Sequence, residues 1–306
     1  MGIVICKLPK AGLGNQLFPI MKAFVFGRLN NLEVIVTGYH WLKLGPYLRK
    51  EKTKRRYYGY FIFQKTWIGE LFDKRKIKKA QKNGVVLEPP LQVMATGTIE
   101  NKSFEFSEPP SFRNFFAGLN MHRSLTKKIF WELLNDSIKK KLEKKMSPCI
   151  GVHIRMGDFP RLKPGEDFRG VGQVRTPEKY FMDVIRDIRE IHGSSLPATI
   201  FTDGFRSEFE QLFTLENISM SEGNSDIVDM VLLSRSEIIV TASGSTFSYW
   251  AGFLSDVPVI LHPDHIHNYN RLPSENPDLY EGPMDKNNPL LIKSIQKIKG
   301  YKPVPA

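Results

Sequence analysis

Residues 149–158, with the sequence CIGVHIRMGD, place three chemically capable side chains close together: His153, Arg155 and Asp158. The other residues are mostly apolar and are bounded by a proline and a glycine, which is typical of a short buried strand. Because side chains alternate along a strand, His153 and Arg155 are predicted to share one face. A planar guanidinium suits phosphate, and an imidazole adds a hydrogen bond to phosphate or sugar. Taken alone, the decamer also fits an edge strand with solvated charges.

The second half of the chain alternates predicted strands with predicted helices. Strands separated by helices are typical of parallel β–α–β units in an α/β fold. The carboxyl ends of such strands meet at one edge of the sheet, where open α/β folds bind ligands. The predicted strands are 149–155, 198–202, 238–241 and 259–261, and the helices begin at 176, 207, 226, 246 and 289.

Polar side chains in four loops are predicted to converge at that edge. They are His153, Arg155 and Asp158; Asp203; the acidic pair Asp226 and Asp229; and Ser243, Ser245 and Thr246. Hydroxyl groups at a helix start suit a phosphate, and a buried carboxylate suits a guanine base, which leaves Arg155 for the diphosphate. Each residue has a structural alternative, as a helix cap or a turn former, but coincidence at all four loops is much rarer than at one.

The first half opens on a strand, a glycine-rich turn, a helix and a second strand, predicted at 3–8, 10–16, 17–29 and 34–37. Backbone N–H groups at such a corner suit an anion or a sugar, although the spacing is not the dinucleotide fingerprint. A long helix is predicted at 125–146 and ends before Pro148, where we place a domain boundary. Residues 85–120 show no clear period.

Composition indicates an ordinary soluble globular chain. Its 306 residues, 41% hydrophobic and 25% charged, leave room for two domains. Cys6 and Cys149 lie in apolar runs, so we expect reduced core thiols and a cytoplasmic protein. The first residues do not resemble a signal peptide. The uncharged run 238–255 is rich in Ser, Thr and Gly, which favours strand–turn–helix over a membrane span.

The formal net charge of +12 is concentrated in one region. Residues 43–82 hold fourteen Lys and Arg against three acidic residues, interleaved with aromatic residues. This density favours an anionic partner: membrane lipid, an acidic glycan or nucleic acid. No recognised nucleic-acid module surrounds the region, so we expect no nucleic acid. A merely solvated basic surface is the other interpretation.

Four motifs in order along the chain resemble one enzyme family. They are GLGNQLF at 12–18, HIRMGD at 153–158, IFTD at 200–203 and DMVLLSRSEIIVTASGSTFSYWAGFL at 229–254. The set resembles the α-1,2-fucosyltransferases of glycosyltransferase family 11 and, more distantly, the α-1,6- and protein-O-fucosyltransferases. The resemblance spans the chain, and the combination of the second and fourth motifs is specific.

The resemblance implies an α/β fold of GT-B architecture, with two Rossmann-like domains facing each other across a cleft. It implies a donor site in the second domain. With the boundary before Pro148, we expect an acceptor-side domain at 1–147 and a GDP-sugar donor-binding domain at 148–270, and we expect the tail, 271–306, to pack back on the first domain. The resemblance also implies GDP-β-L-fucose as donor and inverting transfer to the 2-hydroxyl of a galactoside, with no cofactor and no metal. The absence of a D-x-D pair agrees with the last point.

Site residues follow from the same resemblance. Arg155 corresponds to the diphosphate clamp, with His153 beside it on the nucleotide, and Asp229 to the guanine-reading carboxylate. The remaining donor-binding residues are Asp203, Ser243, Ser245 and Thr246, together with Gly14 and Asn15 from the first domain. The candidate catalytic residues are Arg155, His153 and Asp158, of which Asp158 is the candidate base, with a capping role in its turn as the alternative.

Three positions depart from the family pattern: Met156 replaces a second arginine, Gly204 a second acid and Pro19 a glutamine. None of them is Arg155 or Ser245, so the departures bear on the acceptor more than on the donor. Two other functions stay open: a non-catalytic protein binding an anionic glycan or membrane, and a transferase using another GDP-sugar or acceptor position. A galactose-terminated, lipid-linked acceptor would explain a basic face at 43–82 in peripheral contact with the inner face of a membrane.

Overall fold

A computed structural model describes residues 2–40, 45–48, 52, 54–100, 102–109, 114–163, 165–166, 168, 174–265, 268 and 270–299. The chain divides into two compact units. Unit 1 comprises Met1–Lys43 and Arg55–Lys140, and unit 2 comprises Leu44–Lys54 and Lys141–Ala306. Each unit is built on a parallel sheet with helices between its strands, so the predicted α/β fold with two Rossmann-like units, as in GT-B proteins, is confirmed.

The elements of the first half are β1 (Ile3–Lys7), α1 (Leu13–Asn30), β2 (Glu33–Thr37), α2 (Gly45–Leu48), α3 (Trp67–Ala80), β3 (Val85–Leu87), α4 (Thr96–Ile99), β4 (Ser103–Phe106), α5 (Arg123–Leu133) and α6 (Asp136–Glu143). The sheet of unit 1 has the order β2-β1-β4-β3, with all pairs parallel. The aromatic ring of Phe26 in α1 packs on Phe104 and Phe106 at 4.9 and 5.7 Å between centroids. Burial of such rings holds α1 on the sheet.

The single helix predicted at 125–146 is wrong, because the chain leaves the helical conformation at Leu134. Leu134 has an extended backbone and pairs with Phe61 in an antiparallel bridge. The backbone N–H of Ile62 donates to Leu133 O, and that of Asn135 to Tyr60 O, both at 2.9 Å. These bonds to a distant strand-like segment replace helical bonds, so the apolar stripe continues through two separate helices, α5 and α6.

The elements of the second half are β5 (Ile150–Ile154), α7 (Glu178–His192), β6 (Ala198–Thr202), β7 (Ile218–Met220), α8 (Asp226–Ser234), β8 (Ile238–Val240), α9 (Thr246–Leu254), β9 (Val259–Ile260), β10 (Glu281–Gly282) and α10 (Pro289–Gln296). The sheet order is β10-β9-β8-β5-β6-β7, and every pair is parallel. The four predicted strands are present; β7 and β10, only three and two residues long, were not predicted. Strand β5 therefore lies at the centre, between β6 and β8.

Both faces of β5 are covered. Ile150, Val152 and Ile154 join the core formed with the apolar side of α7. On the other face, a Cβ placed on Gly151 would lie only 2.1 Å from Ser236 Oγ, so the chain after α8 packs directly on the strand backbone. Residues buried on both faces leave little freedom in the position of the strand's end.

The described part of the segment 271–306, which was predicted to pack back on the first domain, packs within unit 2. Leu291 and Ile295 of α10 join the same core as α7, and His192 on α7 contacts the carbonyl oxygen of Ile298 at 2.9 Å. The apolar side of α10 is therefore satisfied by α7.

The uncharged run 238–255 and the two cysteines are found in the environments that the sequence predicts. Residues 238–255 form β8, a turn and α9, as predicted. Cys6 and Cys149 are buried free thiols, as predicted, and burial raises the pKa of Cys6 well above its usual value. Among the residues described, we find no helix with the length and apolar character needed to cross a membrane.

A buried ion pair stabilises the edge of the second sheet at β10. Arg271 and Glu281 are 1% and 4% exposed, and Nε lies 2.9 Å from Oε2. The guanidinium also donates to the carbonyl oxygens of Val257 at 2.7 Å and Tyr280 at 2.8 Å. One side chain thus ties the segment after α9 to β10.

We expect Arg271→Met to lower the free energy of unfolding by about 3–5 kcal/mol, because it leaves Glu281 buried without its cation. Chemical denaturation measures this loss. The matched control is Lys179→Met, which breaks the exposed Lys179–Asp183 pair and should cost less than about 1 kcal/mol. Equal losses in the two variants would contradict a stabilising role for the buried pair.

Candidate functional site

Arg155 follows β5 directly and is held between two carboxylates. Its Nη1 donates to Asp203 Oδ2 at the end of β6, and its Nη2 donates to Asp158 Oδ1 in its own turn. Asp203 Oδ1 also accepts the backbone N–H of Met156 at 2.8 Å. The structure therefore brings together the predicted site residues Arg155, Asp158 and Asp203. Through its bonds to Arg155 and Met156, Asp203 links the carboxyl ends of β5 and β6.

The two carboxylates differ in their access to solvent. The Asp203 side chain is 10% exposed, whereas that of Asp158 is 39% exposed. The guanidinium also lies over the ring of Phe159, with Cζ 5.4 Å from its centroid. A ligand anion that approaches Arg155 from solvent consequently competes with Asp158, while Asp203 holds the arginine from the inner side.

His153 shares the face of β5 that carries Gly151, opposite Val152 and Ile154, as alternation predicts. Its ring stacks on Phe247 of α9 at 4.8 Å between centroids, and the side chain is buried. Burial lowers the pKa of His153 to about 3, so the ring is neutral at physiological pH. Its Nδ1 atom is buried without a hydrogen-bond partner. A neutral ring with an unused nitrogen can make one hydrogen bond to a ligand.

The loop between β8 and α9 carries Ser243, Ser245 and Thr246. The backbone N–H of Ser243 donates to Thr176 Oγ1 at 3.0 Å, and that of Gly244, at a φ of 64°, to Tyr249 Oη at 2.9 Å. These bonds hold the loop in one conformation. Ser245 is the N-cap residue of α9 and makes no side-chain capping bond. Its hydroxyl lies at the positive end of the helix, where phosphate oxygens are stabilised.

Asp229 lies in the first turn of α8 and is mostly buried. Its Oδ1 accepts hydrogen bonds from Ser221 Oγ at 2.6 Å and from Asn224 Nδ2 at 3.0 Å. Burial raises the pKa of Asp229, and the two hydrogen bonds oppose that rise. Both bonds use one oxygen, which leaves Oδ2 to accept from a ligand. The nearby Ser225 Oγ is buried without a partner.

All these groups belong to unit 2 and to one edge of its sheet. The order β8-β5-β6-β7 places the loops after these four strands side by side at their carboxyl ends. They present one guanidinium, a helix N-terminus with hydroxyl groups and a partly buried carboxylate. This set suits a ligand that has a diphosphate and a base with paired N–H donors.

Gly14 and Asn15 lie in unit 1, in the first turn of α1. The helix begins at Leu13 rather than at residue 17, because Gly12 provides the N-cap and its carbonyl accepts the N–H of Gln16 at 3.1 Å. The Gln16 side chain donates to Pro9 O at 2.9 Å and holds the preceding turn. Pro19 has no N–H, so the carbonyl of Asn15 lacks its usual helical bond.

Several residues that shape the site were missed from the sequence. They are Thr176, Ser221, Asn224, Phe247 and Tyr249. Only the last two lie in a recognised motif, and nothing in the local sequence pairs Asn224 with Asp229. Among the described residues, no group of three or more His, Cys, Asp and Glu side chains is arranged to hold a metal ion.

The chain is similar to known proteins both in sequence and in fold. Residues 99–272, more than half of the chain, match the model of the family described as Glycosyl transferase family 11. No curated protein sequence matches significantly.

Among solved structures, POFUT1 in complex with GDP is 12% identical with a TM-score of 0.51, covering 85% of this chain and 98% of that one. Fucosyltransferase NodZ from Bradyrhizobium is 11% identical with a TM-score of 0.47, covering 84% and 94%. A mutant of Arabidopsis thaliana FUT1 in complex with GDP is 13% identical with a TM-score of 0.44, covering 90% and 73%. At these identities the first of the three shows a shared fold.

The lowered pKa of His153 predicts a pH dependence of stability. Below pH 6.5 the unfolded chain protonates this histidine, but the folded chain does not until about pH 3. The free energy of unfolding should therefore fall as pH decreases across that window, by up to about 1.4 kcal/mol per pH unit. We expect His153→Phe, which keeps a ring against Phe247, to remove this part of the dependence. Denaturation curves at several pH values measure it; parallel slopes in the two proteins would refute it.

Proposed function

The chain belongs to glycosyl transferase family 11, and we propose that it transfers L-fucose from GDP-β-L-fucose to a glycan hydroxyl. The observation that carries the proposal is the guanidinium of Arg155, fixed by Asp203 at the carboxyl end of β5 beside the hydroxyl-bearing start of α9. The GDP in the POFUT1 structure of similar fold supports guanine nucleotide as the donor group.

The donor's parts match the groups at the sheet edge. The guanine N1–H and N2–H₂ donate to Asp229, whose Oδ2 remains available. The phosphates contact Arg155 and the loop of Ser245 and Thr246, and His153 adds a single neutral hydrogen bond. Ser243 supports this loop through its backbone bond to Thr176. Gly14 and Asn15 are proposed as donor contacts from the first unit.

In the proposed reaction an acceptor hydroxyl attacks the anomeric carbon as its bond to the diphosphate breaks, and GDP leaves with the electron pair. The transition state has oxocarbenium character, and Arg155 stabilises the charge that develops on the leaving phosphate. This fixed cation is why we propose that no metal is needed. Inversion follows from attack on the face opposite the leaving group.

Asp158 is the proposed base that takes the proton of the acceptor hydroxyl. It occupies the more exposed side of Arg155, so a diphosphate that binds the guanidinium replaces Asp158 there. The released carboxylate then lies near the acceptor face. Donor binding and base activation are coupled in this scheme.

We propose the 2-hydroxyl of a galactose-terminated glycan as acceptor, on the resemblance to α-1,2-fucosyltransferases. Two of the departures from the family pattern touch each other in the structure. A Cβ on Gly204 would lie 2.5 Å from Met156 Cγ, so an acidic residue at 204 would require Met156 to move. Both positions lie beside Arg155, whose contact with Asp203 is present.

The first test is ligand-induced stabilisation, measured as a shift of the thermal unfolding midpoint. We expect GDP and GDP-fucose to raise the midpoint, UDP-glucose to leave it unchanged, and EDTA to have no effect. Arg155→Ala should abolish the shift and lower kcat at least about a hundredfold, whereas Arg189→Ala, which loses bonds to carbonyl oxygens of Leu196 and Glu216, should lose stability alone. No response to any guanine nucleotide would favour the non-catalytic binding protein.

Replacing Asp158 separates its two roles. We expect Asp158→Asn to lower kcat at neutral pH by about 10²–10⁴-fold, because the base is lost, while the donor binds no more weakly since a competitor of the diphosphate is neutralised. Steady-state kinetics and GDP titration measure both quantities. Near-full turnover at neutral pH would exclude Asp158 as the base. Asp203→Asn is the comparison, and it should weaken donor binding.

A further inference from the structure

Helix α3 buries acidic side chains and exposes apolar ones, which is the reverse of an ordinary surface helix. Its acidic residues Glu70 and Asp73 are 2% and 8% exposed, whereas Trp67, Ile68 and Phe72 are 61–63% exposed. A surface helix normally buries its apolar side and exposes its charges. The outward apolar side of α3 therefore requires an explanation beyond the folding of unit 1.

Specific bonds hold the acidic residues inside. Glu70 Oε1 accepts the backbone N–H of Gly38 at 2.9 Å and lies 3.2 Å from Lys74 Nζ. Asp73 pairs with Lys65 at 2.8 Å. Ile77 is buried on the same side of the helix. These contacts set the rotation of α3 about its axis, so the exposure of the opposite side is determined by the fold.

The solvent-facing side of α3 has an apolar part followed by a basic part along the helix axis. At 100° per residue, it carries Trp67, Ile68, Leu71 and Phe72 in the first two turns and Arg75, Lys78 and Lys79 after them. All seven are exposed. The guanidinium of Arg75 lies over the ring of Phe72, with Cζ 5.8 Å from the centroid. We call these seven residues the α3 outer face.

We propose that the α3 outer face binds the surface of an anionic lipid bilayer. Trp, Phe, Leu and Ile side chains bury themselves at the boundary of headgroups and acyl chains, and the following basic residues lie at the level of the phosphates. The charge on this face is entirely positive because both acids of α3 point inward. Branched aliphatic side chains do not stack on bases, which argues against nucleic acid.

The structure distinguishes the lysines of α3 that already have an acidic partner from those that are available to an anionic membrane. Lys74 pairs with Glu70, and Lys76 pairs with Glu33 at 2.6 Å, so both already have acidic partners. Lys78 and Lys79 lie on the same side as the apolar turns. From the sequence alone, Lys74 and Lys76 are among the residues expected to contact a membrane, whereas the structure favours Lys78 and Lys79.

Vesicle flotation of the full chain tests the proposal, without nucleotide so that the result is independent of the proposed transferase activity. We expect binding to vesicles of phosphatidylcholine with phosphatidylglycerol, and weak binding to phosphatidylcholine alone. Ile68→Ser with Phe72→Ser should lower partitioning by about tenfold or more. The matched control is Leu87→Ser with Met121→Ser, two similarly exposed apolar residues of unit 1.

The charges are tested in the same way. Lys78→Gln with Lys79→Gln should lower partitioning by about tenfold, more than Lys140→Gln with Lys144→Gln, which removes the same charge from exposed positions elsewhere. Because all of these side chains are exposed, the variants should keep the wild-type unfolding midpoint. Equal losses in both lysine variants would overturn the proposal in favour of non-specific attraction.

Two further measurements distinguish lipid from a second copy of the chain as the partner of the α3 outer face. On binding, Trp67 fluorescence should shift to shorter wavelength and be quenched by brominated lipid, and Trp67→Phe should remove both signals. Sedimentation should show the same mass for the wild type and the Ile68→Ser, Phe72→Ser variant. If that variant instead converts a dimer to a monomer and leaves vesicle binding unchanged, the face is a contact between copies and the proposal is wrong.

Discussion

The guanidinium of Arg155, held by Asp203 on one side and Asp158 on the other, is the interaction on which the candidate site depends. A cation at the end of a buried strand must be compensated, and its position is only as well defined as the strand that carries it. Strand β5 is covered by α7 on one face and by the chain around α8 on the other. Asp203 also binds the backbone of Met156, so the arginine and its partner are fixed by the same central pair of strands.

The groups around Arg155 differ in their charge and hydrogen-bonding character. His153, buried against Phe247, is neutral and adds no charge beside the guanidinium. Asp229, partly buried, is stabilised by two neutral donors. The loop before α9 presents amide and hydroxyl dipoles held by Thr176 and Tyr249. Together they place a guanidinium at the centre of the edge and a hydrogen-bond acceptor farther along it.

Buried carboxylates serve another purpose in unit 1. Glu70 and Asp73 bond to the Gly38 amide and to Lys65, and thereby set which side of α3 faces solvent. These bonds fix an orientation in which the acidic side chains are buried and apolar side chains face solvent. The same physical device, a carboxylate with fixed partners, positions an arginine in one unit and a helix in the other.

The alternation of strands and helices, the four main strands of unit 2 and the convergence of Arg155, Asp158 and Asp203 could be predicted from the sequence. Periodicity is a local property, and parallel strands bring their carboxyl ends to one edge whatever else the chain does. Other features depended on partners far along the chain. Leu134 leaves the helix because it pairs with Phe61, and the tail packs on α7 because the apolar side of α10 is satisfied there. Likewise, α3 exposes Trp67 and Phe72 because Gly38 and Lys65 bind its acids. Only the tertiary structure decides such choices, since the competing contacts are made between segments that the sequence does not place side by side.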